Sequence, residues 1–154
     1  MTETKKQELP LAEKNRTIKV LIVDDDAEFA SATRRNLELL SMQHFECRVV
    51  LRAADALAAV ESFKPDIVLL DNDFDGEGAK VGVNVTLPEI AGRFRHMDGR
   101  VIILTGKADP HSADDVIAAG AWGIGNFLKK PIATADLANA IIVAHNRALA
   151  RAKS

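Results

Sequence analysis

The sequence predicts an α/β fold in which a doubly wound, five-stranded parallel sheet carries helices on both faces. Short apolar segments alternate along the chain with segments of helical periodicity, which is the order of successive βαβ units. The strand candidates are apolar almost throughout, as expected of strands that are covered on both faces of a sheet. At 154 residues, of which 47% are hydrophobic, the chain has the size of one domain with a sizeable core.

The predicted strands are short segments rich in Val, Ile and Leu. Residues of this kind pack well on a pleated sheet. In chain order, the predicted strands are "IKVLIV" (18–23), "ECRVV" (46–50), "DIVLL" (66–70), "RVIIL" (100–104) and "NFL" (126–128).

The segments between and after these strands have the spacing of helices. In chain order, the predicted helices are the stripe Phe29, Thr33, Leu37 and Leu40, the Ala-rich residues 53–63, residues 83–96, residues 112–119 and a helix starting at Thr134. Thr134 is a candidate N-cap, and Asp136 would place a carboxylate in the first turn, where it is favourable.

Composition restricts the cellular setting and the class of partner. Residues 1–17 are predicted to form a polar tail without the apolar core of a secretory signal, and residues 18–151 the folded domain. No apolar segment approaches the length that spans a bilayer. One cysteine, Cys47, suits a reducing compartment, and a net charge of −2 gives no attraction to nucleic acid or acidic membranes. We therefore expect a cytoplasmic protein that binds neither nucleic acid nor membrane.

Charged and hydroxyl side chains follow four of the predicted strands. They are Asp24, Asp25 and Asp26 after the first, Asp71 after the third, Thr105 after the fourth, and Lys129 and Lys130 after the fifth. In open α/β sheets the functional crevice lies outside the carboxyl ends of the strands, so we expect these groups to converge. Clustered carboxylates suit Mg²⁺, an ammonium and a hydroxyl suit phosphoryl oxygens, and a carboxylate can itself be the nucleophile.

Four motifs extend this interpretation to a family. "VLIVDDDAEF", "PDIVLLD", "VIILTG" and "FLKKPI", in this order, resemble the signatures of response-regulator receiver domains of two-component signalling, of the chemotaxis-regulator type. The resemblance covers residues 18–150. It implies a flavodoxin-like receiver fold with strand order 2-1-3-4-5, and phosphorylation of an aspartate with Mg²⁺ as cofactor.

The resemblance assigns roles to individual carboxylates. Asp71 matches the phospho-acceptor and would also contribute to the metal site. Asp25 would bind Mg²⁺ directly, Asp24 would act mainly through water, and the main-chain carbonyl of Asp73 would complete the protein ligands.

The resemblance also assigns the residues that would sense phosphorylation. Thr105 and Lys130 match the pair that contacts the phosphoryl group, and Phe127 takes the place of the aromatic switch that turns when Thr105 moves. The chain departs from the family after the acceptor, where Phe74 and Asp75 stand in place of a Met-Pro pair.

The predicted output is a protein contact. A histidine kinase or a histidine phosphotransfer protein would supply the phosphoryl group, and a downstream protein would bind the phosphorylated form. We expect a stand-alone receiver, monomeric or weakly dimeric on phosphorylation, with no enzymatic activity beyond its own phosphorylation and dephosphorylation.

Three other interpretations remain open at this point. Asp71 to Gly76 matches the start of a calcium-binding EF-hand loop, although position twelve of such a loop would be Gly82 instead of Glu. Asp71 and Asp73 also resemble the first motif of haloacid-dehalogenase-type phosphohydrolases, with Thr105, Lys107 and Asp114–Asp115 as candidates for the later motifs, but that motif usually follows the first strand. The third is a receiver-like interaction module that is not phosphorylated.

Overall fold

The structure is a computed structural model that describes residues 16–72, Ile90, residues 100–105 and residues 127–152. The helix predicted over 112–119 and nearly all of the predicted polar tail lie outside these ranges. Of the helix predicted over 83–96, the structure describes Ile90, which is helical and fully buried. Within the described ranges, no helix combines the length and the apolar character needed to span a bilayer.

A five-stranded parallel sheet forms the centre of the molecule. Its strands are β1 (Ile18–Val23), β2 (Phe45–Val50), β3 (Ile67–Asp71), β4 (Val101–Thr105) and β5 (Phe127–Lys129). Their order in the sheet is β2-β1-β3-β4-β5, and every neighbouring pair is parallel. The predicted fold and strand order are therefore confirmed. The predicted bounds are correct for β1 and differ by one residue at one or both ends of the other strands.

Helices cover both faces of this sheet. They are α1 (Ala27–Glu38), a 3₁₀ turn (Ala53–Asp55) that leads into α2 (Ala56–Phe63), and α3 (Thr134–Ala152). Because side chains alternate along a strand, Leu21 and Val23 pack with α2 on one face, whereas Val20 and Ile22 pack with α1 and α3 on the other. β3 and β4 are buried at every position, which explains their continuous apolar sequences.

The ends of the helices fix the loops next to the sheet. The carboxylate of Asp26 caps α1 by accepting a hydrogen bond from the Phe29 N–H at 3.0 Å. The last helix starts at Thr134, as predicted, but its N-cap lies one residue earlier than predicted. The Leu137 N–H donates to the Ala133 carbonyl at 3.0 Å, so Thr134 is the first helical residue and not the N-cap.

Candidate functional site

The carboxyl ends of four strands meet at one edge of the sheet, as the sequence predicts. Asp24 follows β1, Asp71 ends β3, Thr105 ends β4 and Lys130 follows β5. The backbone N–H of Lys130 donates to the Thr105 carbonyl at 2.7 Å, which joins the ends of β4 and β5. Polar groups are seldom buried without a function or a partner, yet Asp24 and Thr105 are each 1% exposed and Asp71 is 5% exposed.

An acidic cluster lies at the centre of this edge. Asp24, Asp25 and Asp71 each place a carboxylate oxygen within 4.8 Å of the other two. Asp24 and Asp71 are buried, whereas Asp25 is partly exposed. Like charges at this separation repel strongly where water is scarce, so the cluster requires a cation.

Within the described ranges, the ammonium of Lys130 is the cation that lies at this cluster. Its Nζ lies 2.6 Å from Oδ2 of Asp24 and 3.5 Å from Oδ1 of Asp71. Burial alone would lower the pKa of Lys130, but its hydrogen bond to Asp24 and the negative charges of Asp71 and Asp24 outweigh burial and raise the pKa above its usual value. Lys130 is therefore protonated at neutral pH.

The Asp24 carboxylate is held in place by both of its oxygens. Oδ1 accepts a hydrogen bond from the Asp26 N–H at 2.9 Å, and Oδ2 accepts one from Lys130. Since Asp26 also caps α1, the turn after β1 is fixed at the helix and at the pocket. A metal ion at Asp24 therefore has to share an oxygen with these donors or act through water.

Thr105 and Phe127 lie on the face of the sheet that packs against α2. Thr105 continues the alternation of Val101 and Ile103, and Phe127 is partly buried against the same cluster. The Oγ1 of Thr105 is buried and has no hydrogen-bond partner within the described residues. A buried hydroxyl without a partner is costly, so this atom is available to a new acceptor at the pocket.

The donor set of the acidic cluster fits Mg²⁺. Oxygen ligands of an octahedral Mg²⁺ lie about 2.0–2.1 Å from the ion, so two ligands on opposite sides are about 4.2 Å apart. Adjacent ligands are about 2.9 Å apart, so three carboxylate oxygens within 4.8 Å of one another need to move inward to bind one ion together. Carboxylates are also the side chains that Mg²⁺ prefers, with waters at its remaining positions.

Other predicted residues lie outside the described part of the chain. They are Asp73, Phe74 and Asp75, the EF-hand position Gly82, and the alternative phosphohydrolase candidates Lys107, Asp114 and Asp115. Conversely, nothing in the sequence indicated that Phe29 would lie at the pocket. Its ring centroid is 4.3 Å from the Lys130 ammonium, although its spacing along α1 marked it as a core residue.

Comparison with protein families identifies the family of this chain. The family model described as "Response regulator receiver domain" matches residues 20–142. The chain belongs to the response regulator receiver domain family. Members of this family accept phosphoryl groups in two-component signalling and bind Mg²⁺ at an acidic cluster, and the described residues supply such a cluster.

Curated relatives of this receiver domain are longer proteins. The chain is 30% identical over 126 residues to protein-glutamate methylesterase/protein-glutamine glutaminase 3 of Rhodospirillum rubrum, covering 77% of this chain and 30% of that protein. It is also 30% identical over 119 residues to the transcriptional regulatory protein PrrA of Mycobacterium tuberculosis, covering 77% of this chain and 46% of that protein. The chain thus spans less than half the length of these relatives.

Solved structures support the same assignment. A response regulator receiver domain protein from Clostridium thermocellum matches with a TM-score of 0.67 and 30% identity, covering 84% of this chain and 95% of that one. A CheY-like receiver domain protein from Methanospirillum hungatei matches with a TM-score of 0.70 and 23% identity, covering 86% of this chain and 96% of that one, and supports the fold alone.

Proposed function

We propose that this receiver domain accepts a phosphoryl group on Asp71 from a histidine kinase or a histidine phosphotransfer protein. The observation that carries the proposal is the position of the Asp71 carboxylate. It is buried at the end of the central strand β3, with two further carboxylates within 4.8 Å and the Lys130 ammonium at 3.5 Å. A nucleophilic carboxylate, a cation site and a fixed ammonium are the parts that phosphoryl transfer needs.

The transfer reaction follows from these positions. A carboxylate oxygen of Asp71 forms a bond to the phosphorus atom of the donor, and the bond from phosphorus to the donor's imidazole nitrogen breaks. The imidazole keeps the electron pair of that bond. Lys130, which is protonated and 3.5 Å from Asp71, would neutralise charge on a phosphoryl oxygen.

The metal site that we propose consists of Asp24, Asp25 and Asp71, together with Asp73, which lies outside the described residues. When bound there, Mg²⁺ would offset the negative charge of the transferring group and of the carboxylates. Asp25 would ligate directly, because it is the partly exposed member of the cluster. Asp24 would act through water, because both of its oxygens already accept hydrogen bonds from the protein.

The signal that we propose leaves the pocket through Thr105 and Phe127. The Thr105 hydroxyl is buried without a partner in the described residues and would gain one from a phosphoryl oxygen. Its movement would open space for Phe127 on the face that packs against α2. The output would be a cytoplasmic, phosphorylation-dependent contact with a protein target, made by a domain that spans residues 18–151.

Phosphorylation by acetyl phosphate with Mg²⁺ tests this proposal. The wild type should incorporate one phosphoryl group per chain, and Asp71→Asn should incorporate none. Phosphotransfer from the host's histidine kinases would identify the natural donor. Repeated turnover of p-nitrophenyl phosphate would instead favour a phosphohydrolase, and a wild type that stays unlabelled would favour an unphosphorylated interaction module.

A further inference from the structure

Phe29 makes a contact with the pocket that no predicted role explains. The Nζ of Lys130 lies 4.3 Å from the centroid of the Phe29 ring. The residue is the third of α1, and its N–H is fixed by the cap from Asp26 at 3.0 Å. Its side chain packs against the core cluster formed by α1, α3 and the sheet. The Asp26 cap therefore fixes the backbone of Phe29, and apolar packing fixes its ring in contact with the Lys130 ammonium.

A cation near the face of an aromatic ring is attracted by the negative charge of that face. Among the described residues, the Lys130 ammonium thus has three negative neighbours, namely Asp24 at 2.6 Å, Asp71 at 3.5 Å and the Phe29 ring. Phosphorylation and metal binding change the charge of the two carboxylates, but neither changes the ring. Once the lysine leaves Asp24, the Phe29 ring is a neighbour that still attracts it, so the contact matters more during the transfer than in the resting pocket.

We propose that Phe29 is a positioning residue for phosphoryl transfer. Its ring holds the Lys130 ammonium beside Asp24 and Asp71 while the ammonium exchanges its contact with Asp24 for one with a phosphoryl oxygen on Asp71. The lysine must move away from Asp24, its nearer partner, to reach that oxygen. A ring that attracts it at both ends of this movement keeps it at the site without fixing it to either carboxylate. The inference rests on the proposed function of Asp71 and adds a residue to it.

Two substitutions separate the charge of the ring face from its bulk. Phe29→Leu keeps an apolar side chain and removes the aromatic face, whereas Phe29→Tyr keeps the face. A cation–π contact contributes about 0.5–2 kcal/mol, so Phe29→Leu should slow phosphorylation by acetyl phosphate about 2- to 30-fold and Phe29→Tyr should restore the rate. If Phe29→Leu does not fold, ring-fluorinated phenylalanines at this position weaken the face at nearly constant shape, and the rate should fall with each added fluorine.

Phe63 provides the matched control. The charged groups of Lys19 and Arg48 lie 4.5 Å and 4.6 Å from the centroid of its ring. Phe63 is the last residue of α2 and lies away from Lys130. Phe63→Leu also removes a cation–π arrangement, on a ring that is buried, and should leave the phosphorylation rate unchanged once the fraction of folded protein is matched.

NMR gives a measurement that does not depend on phosphorylation. The ε-CH₂ protons of Lys130 should be shifted upfield by the ring current in the wild type and in Phe29→Tyr, and should return to ordinary values in Phe29→Leu. A wild type without that shift would overturn the contact itself. A normal phosphorylation rate in Phe29→Leu would overturn the positioning role while leaving Asp71 as the acceptor. Failure of the wild type to accept phosphate would overturn the proposed function as well.

Discussion

In the part of the chain that the structure describes, the pocket holds three carboxylates and the Lys130 ammonium, which Lys130→Met removes. At an effective dielectric constant of about 20, unit charges at the observed separations of 2.6 Å and 3.5 Å attract by about 6 and about 5 kcal/mol. Desolvation of the charges offsets much of this attraction, and the removal of one partner from a buried pair costs about 3–5 kcal/mol. Since the Lys130 side chain is 16% exposed, we expect the lower end of this range: in metal-free protein, Lys130→Met should lower the free energy of unfolding by about 3 kcal/mol.

Urea unfolding in EDTA and in millimolar Mg²⁺ measures this effect. Mg²⁺ should stabilise Lys130→Met more than it stabilises the wild type, because a metal ion would replace the missing charge among the carboxylates and binds only the folded pocket. Lys129→Met is the matched control, since Lys129 is the exposed neighbour and its loss should change stability by no more than about 0.5 kcal/mol. Equal losses in the two variants, or equal gains from Mg²⁺ in Lys130→Met and the wild type, would refute the view that Lys130 neutralises the acidic cluster.

Three further predictions concern other buried groups. Thr105→Val should leave the unphosphorylated protein as stable as the wild type or slightly more stable, because the Thr105 Oγ1 has no partner within the described residues. Phosphorylation should perturb the NMR signals of β5 less in Thr105→Val than in the wild type, and identical perturbations would contradict the role of Thr105. Burial lowers the pKa of His145 below its usual value, although the charge of Asp66 opposes this. The unfolded chain therefore binds the proton more readily, so stability that is present above about pH 6.5 should be lost as the pH falls. His145→Gln should flatten this pH dependence of the free energy of unfolding, measured from pH 7.5 down to 5.5. Burial raises the pKa of the Cys47 thiol to about 12, so native protein should react with a thiol reagent only at the rate of unfolding, and rapid labelling without denaturant would contradict this.

The parallel sheet and the meeting of charged groups at one edge were predictable from the sequence for physical reasons. Continuous apolar strands such as 67–71 are typical of the interior of a parallel sheet, and parallel strands bring their carboxyl ends to one edge. Asp24, Asp71 and Lys130 were therefore predicted to meet from their positions after strands. The order 2-1-3-4-5 needed the resemblance to receiver domains, because spacing alone does not decide which strands are neighbours.

The finer contacts were beyond what the sequence could predict. Phe29 has the spacing of a core residue, and nothing in that spacing distinguishes a ring that packs on apolar groups from one that also faces an ammonium. The nearer partner of Lys130 is Asp24 and not the predicted acceptor Asp71, which depends on side-chain rotamers that spacing does not determine. The roles of Asp73 and of the loop after it stay predictions, because they lie outside the described residues.

Locating the phosphoryl group by residue tests the central claim most directly. After phosphorylation by acetyl phosphate with Mg²⁺, borohydride reduces an aspartyl phosphate to homoserine with release of phosphate, and mass spectrometry of the peptides identifies the converted residue. The account predicts homoserine at position 71, with Asp24 and Asp25 unchanged and no conversion in Asp71→Asn. Conversion at Asp24 or Asp25, or full conversion of a residue other than Asp71 in the wild type, would contradict it.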